Sequence, residues 1–178
     1  LNFPGMRQRT VILYTFSKKY AMTGWRIGAS IGPESLIKHM ARFNINDESC
    51  TNHFIQHALA SVLNDSDDYG DEIIKKLMKR RDLCLEKLNS NRNIDIFTPE
   101  STFYLFPNVS KVMGKMGYDN LEKFRVDALE KTGLSFCTRE HFGTPFLNEE
   151  EKYIRLAYSG ITKKEISEGL DKFLNWID

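Results

Sequence analysis

Cysteine is scarce and badly placed for cross-linking. Cys50, Cys84 and Cys137 are odd in number and widely spaced, with no Cys-x-x-Cys pair, so neither a disulfide framework nor a zinc site is indicated. A reducing cytosol is the compartment such usage fits. Long apolar runs are missing too: no stretch reaches the roughly 18 residues a membrane helix needs. Leu1 to Thr10 lacks the apolar segment of a signal peptide. Charge of one sign is absent, with 25 Lys and Arg against 24 Asp and Glu and a net charge of +1. No field of that size would hold nucleic acid or an anionic membrane. There is no internal repeat and no low-complexity segment. What remains is 41% hydrophobic and 12% aromatic over 178 residues, ample for a packed core in one domain or two small ones.

The most informative run is Thr15-Phe16-Ser17-Lys18-Lys19-Tyr20-Ala21-Met22-Thr23-Gly24-Trp25-Arg26-Ile27-Gly28. It sets a lysine just after one apolar strand and an arginine eight residues later, just ahead of another. An amine that can lose its proton forms a Schiff base with a carbonyl, and a guanidinium forks onto a phosphate dianion. The pair suits a phosphorylated aldehyde. Taken alone, Ser-Lys-Lys reads more readily as a surface turn, with the arginine paired to some carboxylate.

The joint pattern resembles the lysine signature of class I aminotransferases, the fold-type I enzymes that use pyridoxal 5'-phosphate (PLP). Gly24-Trp25-Arg26-Ile27-Gly28 matches its closing Gly-x-Arg-apolar-Gly, while Thr15 stands where Gly or Ser is usual and still supplies a hydroxyl. The family's reactive lysine lies eight residues before its phosphate arginine, which selects Lys18 over Lys19. On this resemblance Lys18 is the catalytic Schiff-base lysine, Thr15 and Arg26 bind the phosphate, and Ser17 lines the same turn.

The hydropathy pattern gives β-rich runs at Thr10 to Tyr14 and Arg26 to Ile31 on either side of this loop. Gly32-Pro33-Glu34 reads as a helix start with Pro at the first helical position, and Leu36, Ile37, Met40 and Phe43 form an apolar face. A second helix is expected from His53 to Leu63. A third, from Asp71 to Leu88, carries the stripe Ile74, Leu77, Met78, Leu85 and Leu88. Strands are expected at Ile94 to Phe97, Thr102 to Phe106, Leu134 to Thr138 and Tyr153 to Tyr158, with a helix near Asn120 to Lys131. Thr162 and Glu165 have capping-box spacing ahead of a last helix. The resemblance implies an α/β fold in which residues 1–63 are the C-terminal part of a large PLP-binding domain with a mostly parallel sheet. Residues 64–90 are then a linking helix, and 91–178 a smaller α+β domain.

Tyr153-Ile154-Arg155-Leu156-Ala157-Tyr158 buries an arginine in an apolar strand, a costly placement unless it meets an anion or faces a cleft. A structural ion pair is one reading. The resemblance supplies another, since class I aminotransferases carry a similar segment whose arginine receives the substrate α-carboxylate, and Arg155 matches it. Pro99-Glu100-Ser101-Thr102-Phe103-Tyr104-Leu105-Phe106-Pro107 resembles the family strand at the mouth of the site, with Ser101 where Gly is common. Phe103 either borders the substrate or is simply a strand residue.

Other signals are weaker. Arg139 and His141 lie in a segment where relatives close over the substrate, but read more simply as exposed loop charge. His53 and His57 lack a third ligand, so no metal is expected. The segment 65–70 begins like a calcium loop but has Lys76 at the twelfth position. Lys75, Lys76, Lys79, Arg80 and Arg81 read as a solvated helix face, and Gly114 to Gly117 as a turn.

The resemblance therefore implies transamination between an amino acid and a 2-oxoacid, in a cytoplasmic homodimer, by a chain that lacks the N-terminal half and is inactive alone. A carbon–sulfur lyase or other PLP elimination keeps the same lysine. A non-catalytic remnant acting as an interaction module is the reading from a different class.

Overall fold

The computed structural model describes residues 2–65 and 69–178, so half of the calcium-like segment 65–70 lies outside the described residues. The chain divides into two compact units, Leu1–Ile73 and Ile74–Asp178.

In the first unit, the β-branched run before the lysine forms strand β1 (Ile12–Thr15), and the run after the arginine forms β2 (Gly28–Ile31). They pair antiparallel, Ile12 opposite Ile31 and Thr15 opposite Gly28, so the loop 16–27 closes a hairpin with the lysine inside it. Gly28 is required by packing. A Cβ there would stand 2.9 Å from the Tyr14 carbonyl oxygen. Helix α1 (Glu34–Asp47) follows, with Pro33 at the capping position and not at the first helical one. The Pro33 carbonyl accepts from the amides of Leu36 and Ile37, both at 3.0 Å, and proline has no amide of its own to leave unpaired. The apolar face expected on α1 is not buried; Phe43 is 76% exposed. Helix α2 (His53–Asn64) contributes Ile55 and Leu59, which pack with Phe16 into a small core that Tyr20, Met22, Ile27 and Ala29 adjoin.

Helix α3 (Asp71–Leu88) crosses the division in its first turn and buries Cys84, Leu85 and Leu88 in the second unit. Beyond it come β3 (Tyr104–Leu105), α4 (Ser110–Met116), α5 (Leu121–Thr132), β4 (Cys137–Thr138), β5 (Ile154–Ala157) and α6 (Lys163–Ile177). The sheet order is β3-β5-β4, antiparallel throughout. The expected strand at 94–97 reduces to one bridge, Asp95 with Asn108. The strands expected at 102–106 and 134–138 each shorten to two paired residues.

Gly114 to Met116 lie inside α4, not in a free turn, and the turn chemistry is real only at Gly117, which caps the helix at φ +73°. Asn120 caps α5, its Oδ1 accepting from the Lys123 amide at 2.8 Å. The capping box of α6 forms as the spacing predicts: Thr162 Oγ1 accepts from the Glu165 amide at 3.2 Å, and Glu165 Oε2 accepts from the Thr162 amide at 2.7 Å. These elements enclose a core that includes Leu88, Leu105, Val109, Phe124, Ile154, Phe173 and Ile177, with Trp176 stacked on Phe124 at 5.4 Å. Each such side chain contributes on the order of 1.5 to 3 kcal/mol.

Every ladder among the described residues is antiparallel. β1 and β2 are joined by the lysine loop without the crossover helix that parallel pairing needs.

Candidate active site

Lys18 is displayed by a loop pinned at both ends. Phe16 and Ser17 are buried immediately before it, Phe16 with its ring edge on Tyr14 at 5.1 Å. The loop then turns back, the Met22 amide donating to the Ser17 carbonyl at 2.9 Å and the Ala21 amide to that of Lys18 at 3.3 Å. Lys18 itself is exposed, and its ammonium has no ion pair among the described residues. Lys19 lies over the Tyr20 ring at 5.6 Å. Thr15 Oγ1 accepts from the Ser17 amide at 3.2 Å, leaving its own proton to donate.

A 3-10 turn at Thr23–Trp25 leads into Arg26, which takes the left-handed conformation at φ +54°, as does Ala21 at +53°. A non-glycine residue held there costs on the order of 1 kcal/mol and recurs at functional sites. Arg26 Nη1 donates to the Thr23 carbonyl at 3.3 Å, an exposed contact that leaves the other guanidinium donors uncommitted. One loop thus carries an amine, two hydroxyls and a guanidinium. That donor set fits a group bearing both an aldehyde and a phosphate.

In the second unit, period-2 alternation on β5 sends Ile154, Leu156 and Tyr158 into the core and Arg155 to the other face. Cys137 lies directly opposite Arg155 in the ladder, and Tyr104, opposite Ala157, shares its face one step along. The guanidinium sits between two rings, 4.3 Å from the Tyr104 centroid and 4.5 Å from that of Phe142. Nη2 reaches Cys137 Sγ at 3.6 Å. Nε is buried without a hydrogen-bond partner, alone in this among side-chain nitrogens and oxygens of the described residues. Arg155 also has no carboxylate partner among them. A half-buried cation with an unsatisfied donor has the chemistry to accept an anion.

Phe103 points otherwise. It packs against the core of the second unit and tilts against Tyr104 at 4.6 Å, so the neighbouring tyrosine, not Phe103, meets Arg155. Sequence reasoning missed Tyr104 and Phe142. The alternation of side chains along paired strands could have pointed to Tyr104, but Phe142 arrives on a 3-10 turn (Arg139–Phe142) that no periodicity announces.

The loop 137–143 also differs from expectation. Arg139 is not exposed loop charge: its side chain is 16% exposed and paired with Glu149, Nε to Oε1 and Nη2 to Oε2, both at 3.0 Å. His141 Nδ1 faces the Thr138 amide at 3.2 Å and hydroxyl at 2.7 Å, which makes it the acceptor of the amide proton. Two cations of the α3 cluster are likewise engaged, Arg80 with the Ser159 carbonyl at 2.5 Å and Arg81 with Asp82 at 2.7 Å. His53 and His57 contact each other at 3.2 Å through their Nε2 atoms, and no group of three potential ligands occurs among the described residues.

The family model described as aminotransferase class I and II matches residues 4–173. An aspartate aminotransferase of Rhizobium meliloti is 40% identical over 113 residues, 64% of this chain and 28% of that protein. The aspartate aminotransferase of Sulfurisphaera tokodaii is 28% identical over 178 residues, all of this chain and 43% of that one. Among solved structures, the aspartate aminotransferase from Rhizobium meliloti superposes with a TM-score of 0.86 at 30% identity, covering 99% of this chain and 44% of the other. The chain thus spans less than half the length of the relatives it matches.

Proposed function

The chain belongs to the class I and II aminotransferase family, and from that membership we propose that it supplies the reactive lysine and the carboxylate-binding arginine of a PLP-dependent transaminase. The substrates are an amino acid and a 2-oxoacid, and the protein acts as a cytoplasmic homodimer. No helix among the described residues is long and apolar enough to cross a membrane.

The observation that carries this reading is the Arg155 guanidinium, walled by Tyr104 and Phe142 with its Nε donor unmet. Two rings lie against the guanidinium, at 4.3 and 4.5 Å, and a planar carboxylate would meet the fork through paired N–H···O bonds. Shielded from water, such a contact is worth on the order of 1.5 to 3 kcal/mol. It also fixes the direction of the substrate Cα–H bond.

At the other site, Lys18 would hold the cofactor through its amine, while the Arg26 guanidinium and the Thr15 hydroxyl would hold its phosphate, with Ser17 lining the turn. PLP, when bound, supplies the ring that accepts the electron pair released at Cα. The Lys18 amine, when not joined to the cofactor, would carry the proton from Cα. Its placement on a pinned hairpin loop limits the positions its amine can sample, which is what a positioned base requires. Phe103, packed on the core beside Tyr104, supports that ring and so borders the carboxylate site at one remove.

The test uses the full-length protein saturated with PLP. Borohydride trapping and peptide mapping are expected to find the label on Lys18, and Lys18→Ala to abolish the visible band of the bound cofactor. Oxoacid formation dependent on 2-oxoglutarate is the expected turnover. Release of ammonia or sulfide instead would move the reaction to an elimination; a label elsewhere, or none, would leave an interaction module.

A further inference from the structure

Arg139 occupies a position whose chemistry the transamination reading does not absorb. Its backbone amide donates to the Tyr153 carbonyl at 2.8 Å, anchoring the start of the 3-10 turn to the strand that carries Arg155. Its side chain then reaches forward along the sequence. Nε and Nη2 form the two-point contact with Glu149, and Nη1 donates to the Gly143 carbonyl at 3.1 Å. The guanidinium carbon lies 5.6 Å from the Phe146 ring. Glu149 in turn accepts from the Phe146 amide through Oε2 at 3.0 Å, while its own amide donates to the Phe146 carbonyl at 3.0 Å. Both charged side chains are about 15% exposed, although residues 141–148 between them are all exposed.

Each of the three guanidinium nitrogens of Arg139 thus has its partner on one loop. Phe142 is the last residue of the turn that this loop follows, and it forms one of the two walls of the Arg155 guanidinium. Phe142 is 47% exposed, so the packing around it is incomplete. Its position is set by the backbone on either side. His141 closes the turn from within through Thr138, and the Arg139–Glu149 pair closes it from without by holding Gly143. A partly buried, two-point ion pair with further hydrogen bonds fixes geometry far better than an exposed one.

We propose that Arg139 and Glu149 are positioning residues for carboxylate binding: their ion pair ties down residues 143–149, and through Gly143 it holds Phe142 against Arg155. This rests on the reading of Arg155 as the substrate-carboxylate arginine. The latch acts on the carboxylate site and not on the lysine loop, so its loss weakens the hold on both substrates without changing the cofactor.

In the full-length enzyme with PLP bound, Glu149→Gln is expected to raise KM for amino acid and oxoacid about tenfold, the size of a lost cation–π wall in a shielded site. The affinity for 2-oxoglutarate, read by calorimetry, falls by the same factor. The rate constant kcat stays within about twofold and the PLP affinity is unchanged. Phe142→Ala, an exposed truncation that leaves the core intact, is expected to show a similar loss of affinity, and Glu149→Gln added to it to cause no further loss. Unchanged 2-oxoglutarate affinity in Glu149→Gln, whether or not its melting temperature falls, overturns the proposal. Additive losses in the double variant, or loss of PLP together with the carboxylate, overturn it too. A wild-type enzyme that binds 2-oxoglutarate but does not transaminate refutes the functional reading alone, and calorimetry on the variants still decides the latch.

Discussion

Arg155 shows how one side chain is made receptive. An arginine among apolar strand residues is visible in the sequence as a cost, and alternation along β5 sets its half-buried side chain on the face away from the core. Arg155→Leu removes the fork and Arg155→Lys keeps the charge but loses both the paired hydrogen bonds and the stacking between Tyr104 and Phe142. Each is expected to lower kcat/KM of the full-length enzyme by about a hundredfold, with the PLP spectrum retained, as steady-state kinetics and absorbance would record. A full rate in Arg155→Lys would mean that charge alone matters there. Cys84 illustrates the opposite fate. Burial pushes its thiol up to about 11, so a thiol reagent at neutral pH is expected to reach it only on unfolding.

At the scale of elements, two positions carry testable energetics. Gly28 lets β2 lie beside β1, and Gly28→Ala would drive a methyl into the Tyr14 carbonyl at 2.9 Å. We expect a loss of about 1 to 3 kcal/mol, measured as a lower denaturation midpoint, together with weaker PLP retention because the hairpin displays the lysine loop. The cap of α6 is the second. Thr162→Ala is expected to cost about 1 kcal/mol. The Thr162 amide and hydroxyl, both donating to the Glu165 carboxylate, hold its pKa below the ordinary 4.5. A folded pKa below the unfolded one means that this contribution is complete above the unfolded value and vanishes as pH falls through the folded one. Glu165→Gln is therefore expected to flatten the melting-temperature profile below about pH 5, and an unchanged acid limb would contradict the assignment. The capping spacing was readable because it is local. The shortened strands were not, because a two-residue ladder depends on which neighbour arrives beside it.

For the molecule as a whole, the two units differ sharply in what they bury. Residues 74–178 enclose a continuous core from Cys84 to Ile177, built around Phe124 and Phe173. The first unit buries chiefly Phe16, Ile55 and Leu59, and leaves Leu13, Phe43 and Phe54 mostly exposed. Residues 74–178 expressed alone are accordingly expected to unfold cooperatively, with Cys84 protected until the transition. Residues 1–73 are expected to show no cooperative transition, since so small a core cannot offset the conformational entropy of ordering the chain. A sharp melt of 1–73 would refute this.

The sequence by itself determined the features whose physics is local or written in spacing: the strand–loop–strand around Lys18, the separation of Lys18 from Arg26, the bounds of α3 and the box that starts α6. A hydrogen bond to the next turn, or an alternation of two, needs no distant partner to be specified. Only the tertiary structure decided that Tyr104 and not Phe103 meets Arg155, that Phe142 closes the other side, and that Arg139 is spent on Glu149. Those outcomes depend on which strand pairs with which and on where an irregular loop returns, and a linear pattern does not encode either.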